Sequence, residues 1–175
     1  MGDPEARLSW SSHLAYEIAN AETAEAAAQV VGQHAEKLTK EEGARVRRLQ
    51  IEKAIELSYV DRPDLLHLLE AGLELEDNQV ETPIGRMDLL CRATDGKFVV
   101  VEIKVGAAED AVFGQILRYM GWIHRHFDHG RDNVRGIILA GEFPDKARYS
   151  RVGLLRSDTE DFLKFKRHVF AVEEV

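Results

Sequence analysis

The apolar positions keep a helical rhythm through the first seventy residues and then change to alternation. Residues 13–38 are rich in Ala and Glu with few breakers, which predicts a helix. Gly43 weakens the next few positions, and residues 44–58 predict a second helix with Val46, Leu49, Ile55 and Leu57 among its apolar positions. Pro63 suits the first turn of a third, short helix carrying Leu65, Leu66, Leu68 and Leu69, and Gly72 suits its C-cap. A spacing of two follows. Leu73, Leu75 and Val80 predict an irregular strand, Thr82–Gly85 a turn, and residues 86–93 a second strand. Thr94-Asp95-Gly96 signals a hairpin into a β-branched, mostly apolar strand over 97–105, which is expected to be central. Residues 108–127 return to a helical stripe of Val112, Ile116, Met120 and Ile123. A buried strand over 134–140, a basic helix over 144–156 and a last strand over 167–172 complete the pattern.

The order α-α-α-β-β-β-α-β-α-β describes an α/β domain: a mixed central sheet of about five strands flanked by helices, with an extra helical N-terminal segment. The expected division is a helical extension over 1–45 and the main domain over 46–175. At 175 residues the chain can bury a core without staples. No apolar run approaches the ~18 residues of a membrane span. The N-terminus lacks the basic start and apolar stretch of a signal peptide, so a cytoplasmic location is expected. The single cysteine, Cys91, falls inside an apolar strand and reads as a small buried hydrophobe.

Two charges break the third strand. Glu102 and Lys104 interrupt Val99, Val100, Val101, Ile103 and Val105, and lying two apart they share a face. Burying them is costly unless they pair or meet an ion. The second strand carries Asp88 among Met87, Leu89 and Leu90. With a three-residue loop over Thr94–Gly96, Asp88 comes opposite Glu102 on the same side; a two-residue Asp95-Gly96 turn would pair Asp88 with Ile103 instead. Facing carboxylates repel, and a hard divalent cation such as Mg²⁺ or Mn²⁺ relieves the repulsion. A lysine beside a metal-bound water could hold it and stabilise developing negative charge, so the trio suits phosphodiester hydrolysis. The competing reading is a surface ion-pair network: Glu102 with Lys104, and Asp88 with Arg86 or Arg92.

The net charge of −8 argues against a generic nucleic-acid binder, but the excess acid lies in residues 1–104 and part of it is the carboxylates just described. Basic residues cluster as Arg45, Arg47 and Arg48; as Lys146, Arg148, Arg151 and Arg156; and as Lys164, Lys166 and Arg167. Such clusters usually solvate a helix face and near a nuclease site become candidate phosphate contacts. His124, His126 and His129 lack a zinc spacing, Trp10 and Trp122 read as packing residues, and there is no nucleotide-binding glycine motif.

Three motifs in order sharpen the reading: Gly85-Arg86-Met87-Asp88, Glu102-Ile103-Lys104, and Gln115 followed four residues later by Tyr119. With the residues around them, 81–122, they resemble the C-terminal nuclease domain of NucS-type endonucleases, in the RecB-like branch of the PD-(D/E)XK superfamily. The resemblance covers roughly residues 46–141. It implies a restriction-endonuclease-like fold and a Mg²⁺- or Mn²⁺-dependent endodeoxyribonuclease acting in DNA repair or defence. Asp88 and Glu102 would be metal ligands, Lys104 the catalytic lysine, and Gln115 and Tyr119 site-lining residues. Arg86, Arg48 and Arg118 are the candidate substrate contacts, to the phosphate backbone of DNA. The family also places a glutamate on the helix before the sheet, which Glu52 matches best; Glu52 could instead pair with Arg48 across one helical turn. NucS-type enzymes carry a β-rich N-terminal domain for DNA binding and dimerisation, where residues 1–45 here read as helix. The alternative function is a catalytically silent nuclease-fold module for nucleic-acid binding or assembly, as a homodimer through the N-terminal helices.

Overall fold

The structure, a computed structural model, describes residues 14–34, 38–127, 134–154 and 162–168. Trp10, His129, Arg156 and positions 169–172 of the expected last strand lie outside them. The chain forms two compact units, Met1–Asp61 and Arg62–Val175. The sequence pattern placed its boundary after residue 45; the division falls after Asp61, with the second helix kept whole in the first unit.

In the first unit the single helix expected over 13–38 is broken. Residues 14–19 are helical, and the side-chain amide of Asn20 donates to the Tyr16 carbonyl (2.9 Å), closing that turn. Thr23 then starts a new helix, α1 (Ala24–His34), its hydroxyl accepting the Ala26 N–H at 3.1 Å. Ile18, Ala21, Ala27 and Val46 make a small core. Helix α2 (Lys40–Asp61) opens on a reciprocal cap: Thr39 Oγ1 accepts the Glu42 N–H and Glu42 Oε2 accepts the Thr39 N–H. That cap starts α2 ahead of Gly43, which sits in its first turn.

The second unit begins with a 3-10 turn, Pro63–Leu65, and the one-turn helix α3 (Leu66–Leu69). Gly72 follows at φ +72°, the left-handed conformation expected of it. The strands are β1 (Glu74–Thr82), β2 (Gly85–Arg92), β3 (Phe98–Ala107), β4 (Val134–Glu142) and β5 (Leu163–Arg167), with α4 (Asp110–His126) and α5 (Asp145–Leu154) between the last three. They form one sheet in the order β1-β2-β3-β4-β5, antiparallel across the first two joints and parallel across the last two. This is the mixed five-stranded sheet with flanking helices that the alternation predicts, with β3 at its centre. β1 is irregular as expected: its register shifts between Leu75 and Asp77, and Gln79 takes φ 55°.

The fifth strand, the last among the described residues, begins ahead of the one expected over 167–172. Leu163 and Phe165, two apart, supply the apolar side that packs on the core, so β5 runs from Leu163 to Arg167. Val112, Ile116, Met120 and Ile123 are all buried along α4. Helix and sheet approach closely at Gly136 of β4, where a Cβ would stand 2.8 Å from Ile116 Cδ1 and 2.9 Å from Met120 Sδ. Among the described residues no helix is long and apolar enough to cross a membrane.

Candidate active site

The hairpin between β2 and β3 sets the register. Ala93 N donates to Lys97 O and Gly96 N to Ala93 O, both at 2.9 Å, which closes a three-residue loop over Thr94, Asp95 and Gly96 with Gly96 at φ +80°. Leu89 therefore pairs with Val101 and Leu90 with Val100, the register that leads Asp88 toward Glu102. The ladder stops one pair short of them. In its place the Asp88 carboxylate enters the gap, and its Oδ2 accepts the Ile103 N–H at 2.7 Å. A side chain has taken over a ladder bond, which fixes the carboxylate beside β3.

Glu102 is fully buried in the middle of the sheet. Lys104 donates to its Oε1 at 2.7 Å, the shared face that their spacing predicts, and Lys104 itself remains 28% exposed. One partner thus sits in the interior and the other reaches the surface of the same site. The pair matches one part of the competing surface-network reading. Another part is not met: Arg92 bonds Glu76 and the Gly96 carbonyl and lies over the Phe98 ring.

Helix α4 closes the site with the remaining two candidates. Gln115 Nε2 donates to Tyr119 Oη at 3.3 Å, one helical turn on. Burial pushes the Tyr119 hydroxyl above its ordinary pKa against the bond from Gln115; the charges of Glu102 and Asp88 raise it further, and Lys104 opposes them. That mutual influence puts the phenol within electrostatic reach of all three charged residues. It also keeps Tyr119 protonated, a hydrogen-bonding group and not an anion. Tyr119 depends on Gly85, at φ +127°, where a Cβ would lie 2.7 Å from its oxygen. The glycine of the Gly-Arg-x-Asp motif is the space in which the tyrosine sits.

The other candidates are more dispersed. Arg86 is half-buried on β2, opposite Glu81. Arg118 is exposed on α4, away from the buried stripe. Glu52 and Arg48 stand on α2 in the first unit, half-buried and exposed respectively. Sequence reasoning passed over Lys53 and Glu56 on that helix, which are buried as an ion pair at 3.0 Å; opposite charges three apart were the available signal.

No group of three or more His, Cys, Asp or Glu side chains converges among the described residues. A closed zinc site is therefore absent from these residues. Two carboxylates with hard oxygen donors fit Mg²⁺ or Mn²⁺, which accept one or two protein ligands and complete their shell with water and phosphate. Asp88 and Glu102 are the residues that could hold such an ion.

The sequence family described as the Endonuclease NucS C-terminal domain matches residues 61–153. Endonuclease NucS of Frankia alni (strain DSM 45986 / CECT 9034 / ACN14a) is 36% identical over 104 residues, 59% of this chain and 44% of that protein. Endonuclease NucS of Mycolicibacterium smegmatis (strain ATCC 700084 / mc(2)155) is 39% identical over 83 residues, 47% and 36% of the two chains. Among solved structures, a repair endonuclease from Pyrococcus abyssi aligns with TM-score 0.53 and 23% identity over 68% of this chain and 46% of its own. EndoMS in a complex with double-stranded DNA aligns with TM-score 0.51 and 24% identity over 65% and 42%. These two structural likenesses carry the fold. The chain spans less than half the length of the relatives it matches.

Proposed function

The chain belongs to the family of the Endonuclease NucS C-terminal domain, and from that premise we propose that it is a Mg²⁺- or Mn²⁺-dependent endonuclease that hydrolyses DNA phosphodiester bonds in repair. The observation that carries the proposal is the arrangement of Asp88, Glu102 and Lys104, with one acid held by the Ile103 N–H and the other bound to the lysine at 2.7 Å. A structural neighbour of the same fold is described in complex with double-stranded DNA, which supports DNA as the substrate class.

Each residue has a distinct task in this reading. Asp88 and Glu102 would hold the divalent ion, which when bound would acidify water and offset phosphate charge. Asp88 is preorganised, because its bond to Ile103 is already made. Glu102 lies out of solvent, where its interactions with charge are least screened. Lys104 carries its positive charge at the partly open side, where it can orient the attacking water and stabilise the charge that builds on the phosphate. Gln115 and Tyr119 offer hydrogen bonds to phosphate or water. Arg86 and Arg118 are the proposed backbone contacts.

The test is cleavage of circular single-stranded, linear duplex and mismatched duplex DNA by the purified protein, with Mg²⁺, Mn²⁺ or EDTA. Cutting that requires the ion, and that Lys104→Ala loses by a factor of about 10³ or more, is the expected result. If the folded protein cuts none of these DNAs with the ion present, catalysis is refuted and the binding or assembly module takes its place. Mn²⁺ then also fails to raise the Tm in a manner dependent on Asp88 and Glu102.

A further inference from the structure

Just past Lys104 the β3–β4 ladder changes step: Lys104 pairs with Ala140, but the next pair is Ala107 with Glu142. The carbonyl of Lys104 lies at this shift, and a side chain from the far side of β4 reaches it. Nε2 of His168, the residue directly after β5, stands 2.8 Å from Lys104 O. To reach β3 the imidazole must pass β4, and it does so at Gly141. A Cβ on Gly141 would come within 3.5 Å of His168 Cε1 and 2.4 Å of the Val105 carbonyl, so that position has no room for a side chain. The backbone of His168 is held as well, its N–H donating to Ala140 O at 3.2 Å. Ala140 is the residue paired with Lys104.

From this bridge we propose that His168 is a positioning residue for the reaction: its Nε2–H clamps the Lys104 carbonyl and so fixes where the lysine side chain leaves the strand. The inference rests on the nuclease reading of Lys104. A carbonyl oxygen only accepts, so the ring carries its proton on Nε2. Without the clamp, Lys104 sits where the ladder falls out of step, two positions before Gly106. A displacement of the order of 1 Å there is enough to misplace the ammonium. Residues that orient catalytic groups through one hydrogen bond typically matter by a factor of about 10–100.

Three measurements test the clamp. Nitrogen-detected NMR of histidine-labelled wild type at pH 8 should show the His168 ring protonated at Nε2, identified by its loss in His168→Leu. In cleavage assays His168→Leu should lower kcat about 10- to 100-fold with KM little changed, since substrate binding is left alone. His168→Gln, which restores an N–H donor, should recover part of that loss. A ring protonated at Nδ1 overturns the proposal, as does a His168→Leu protein that cuts at the wild-type rate. A Leu variant that fails to fold leaves His168→Gln against wild type and the tautomer to decide. If wild type cuts no DNA, the nuclease reading falls and takes the positioning role with it, while the tautomer still reports whether the bond exists.

Discussion

A thiol at position 91 has no water to stabilise its charge. Cys91 is fully buried, and burial, with a smaller push from Glu76, raises its pKa to about 12. A raised pKa means that the folded state keeps its proton where the unfolded chain, near pH ~8.5, has lost it. Stability linked to this group is therefore complete below pH ~8.5 and is lost as pH rises toward 12. Urea denaturation at pH 8, 9.5 and 10.5 should show wild type losing stability more steeply than Cys91→Ala, and a thiol reagent at pH 8 should label only unfolded protein. Gly85→Ala is expected to cost about 1–3 kcal/mol for its positive φ and to displace the Tyr119 hydroxyl, which would appear as lost cleavage activity as well as a lower denaturation midpoint. The charged trio was legible in the sequence because a buried strand admits Glu102 and Lys104 only for a reason. The bond from Ile103 to Asp88 was not, since strand pattern gives the facing pair but not where the ladder ends. His168 left no signal either: its role needs a glycine one strand away and a step in another ladder.

At the scale of the element, local chemistry decided what periodicity left ambiguous. The Ala-rich run over 13–38 looks continuous by propensity, yet Asn20 and Thr23 carry the side-chain bonds that end one helix and begin another. The Thr39-x-x-Glu42 cap was written in the sequence, and reading it would have started α2 at Lys40. Thr39→Ala should lower stability by about 1 kcal/mol in chemical denaturation, through the loss of its bond to the Glu42 N–H. Gly136 is a second case. The pattern VRGIILA reads as a buried strand whatever occupies the third position, but only a residue without a side chain lets α4 settle onto β4. Gly136→Ala drives a methyl into Ile116 and Met120 and is expected to cost about 1–3 kcal/mol. β5 has a similar source: LKFKR has modest strand propensity, and tertiary packing of Leu163 and Phe165 makes it a strand.

At the scale of the whole second unit, an ion cluster joins segments distant in sequence. Arg135 on β4 bonds Glu70 and reaches Asp95 of the hairpin loop at 3.1 Å, while Lys164 on β5 holds the other Glu70 oxygen at 3.0 Å. Partial burial pushes the Asp95 carboxyl up, but the Lys97 N–H, the Lys97 ammonium and Arg135 outweigh it and hold the group below its ordinary pKa. The sign follows: this contribution is present above the usual carboxylate value of ~3.9 and is lost as pH falls through the lower folded value. Asp95→Asn should lower the neutral portion of a stability-against-pH curve slightly and flatten its acid limb, the two proteins converging at low pH.

The loop that carries Asp95 has a larger consequence. Met87, Leu89 and Cys91 are buried on one side of β2, and Leu90 shares the other with Arg86, Asp88 and Arg92, so the alignment of the hairpin rests on the apolar pattern and on the bend together. Surface bends are ordinarily where a chain best tolerates gaining or losing a residue, yet here a deletion of Thr94 favours a two-residue turn that would carry Asp88 to the reverse side of the sheet. Such a protein should keep much of its strand content by circular dichroism and lack the divalent-ion response proposed for wild type, a folded molecule disarmed from the end of the hairpin farthest from its proposed chemistry.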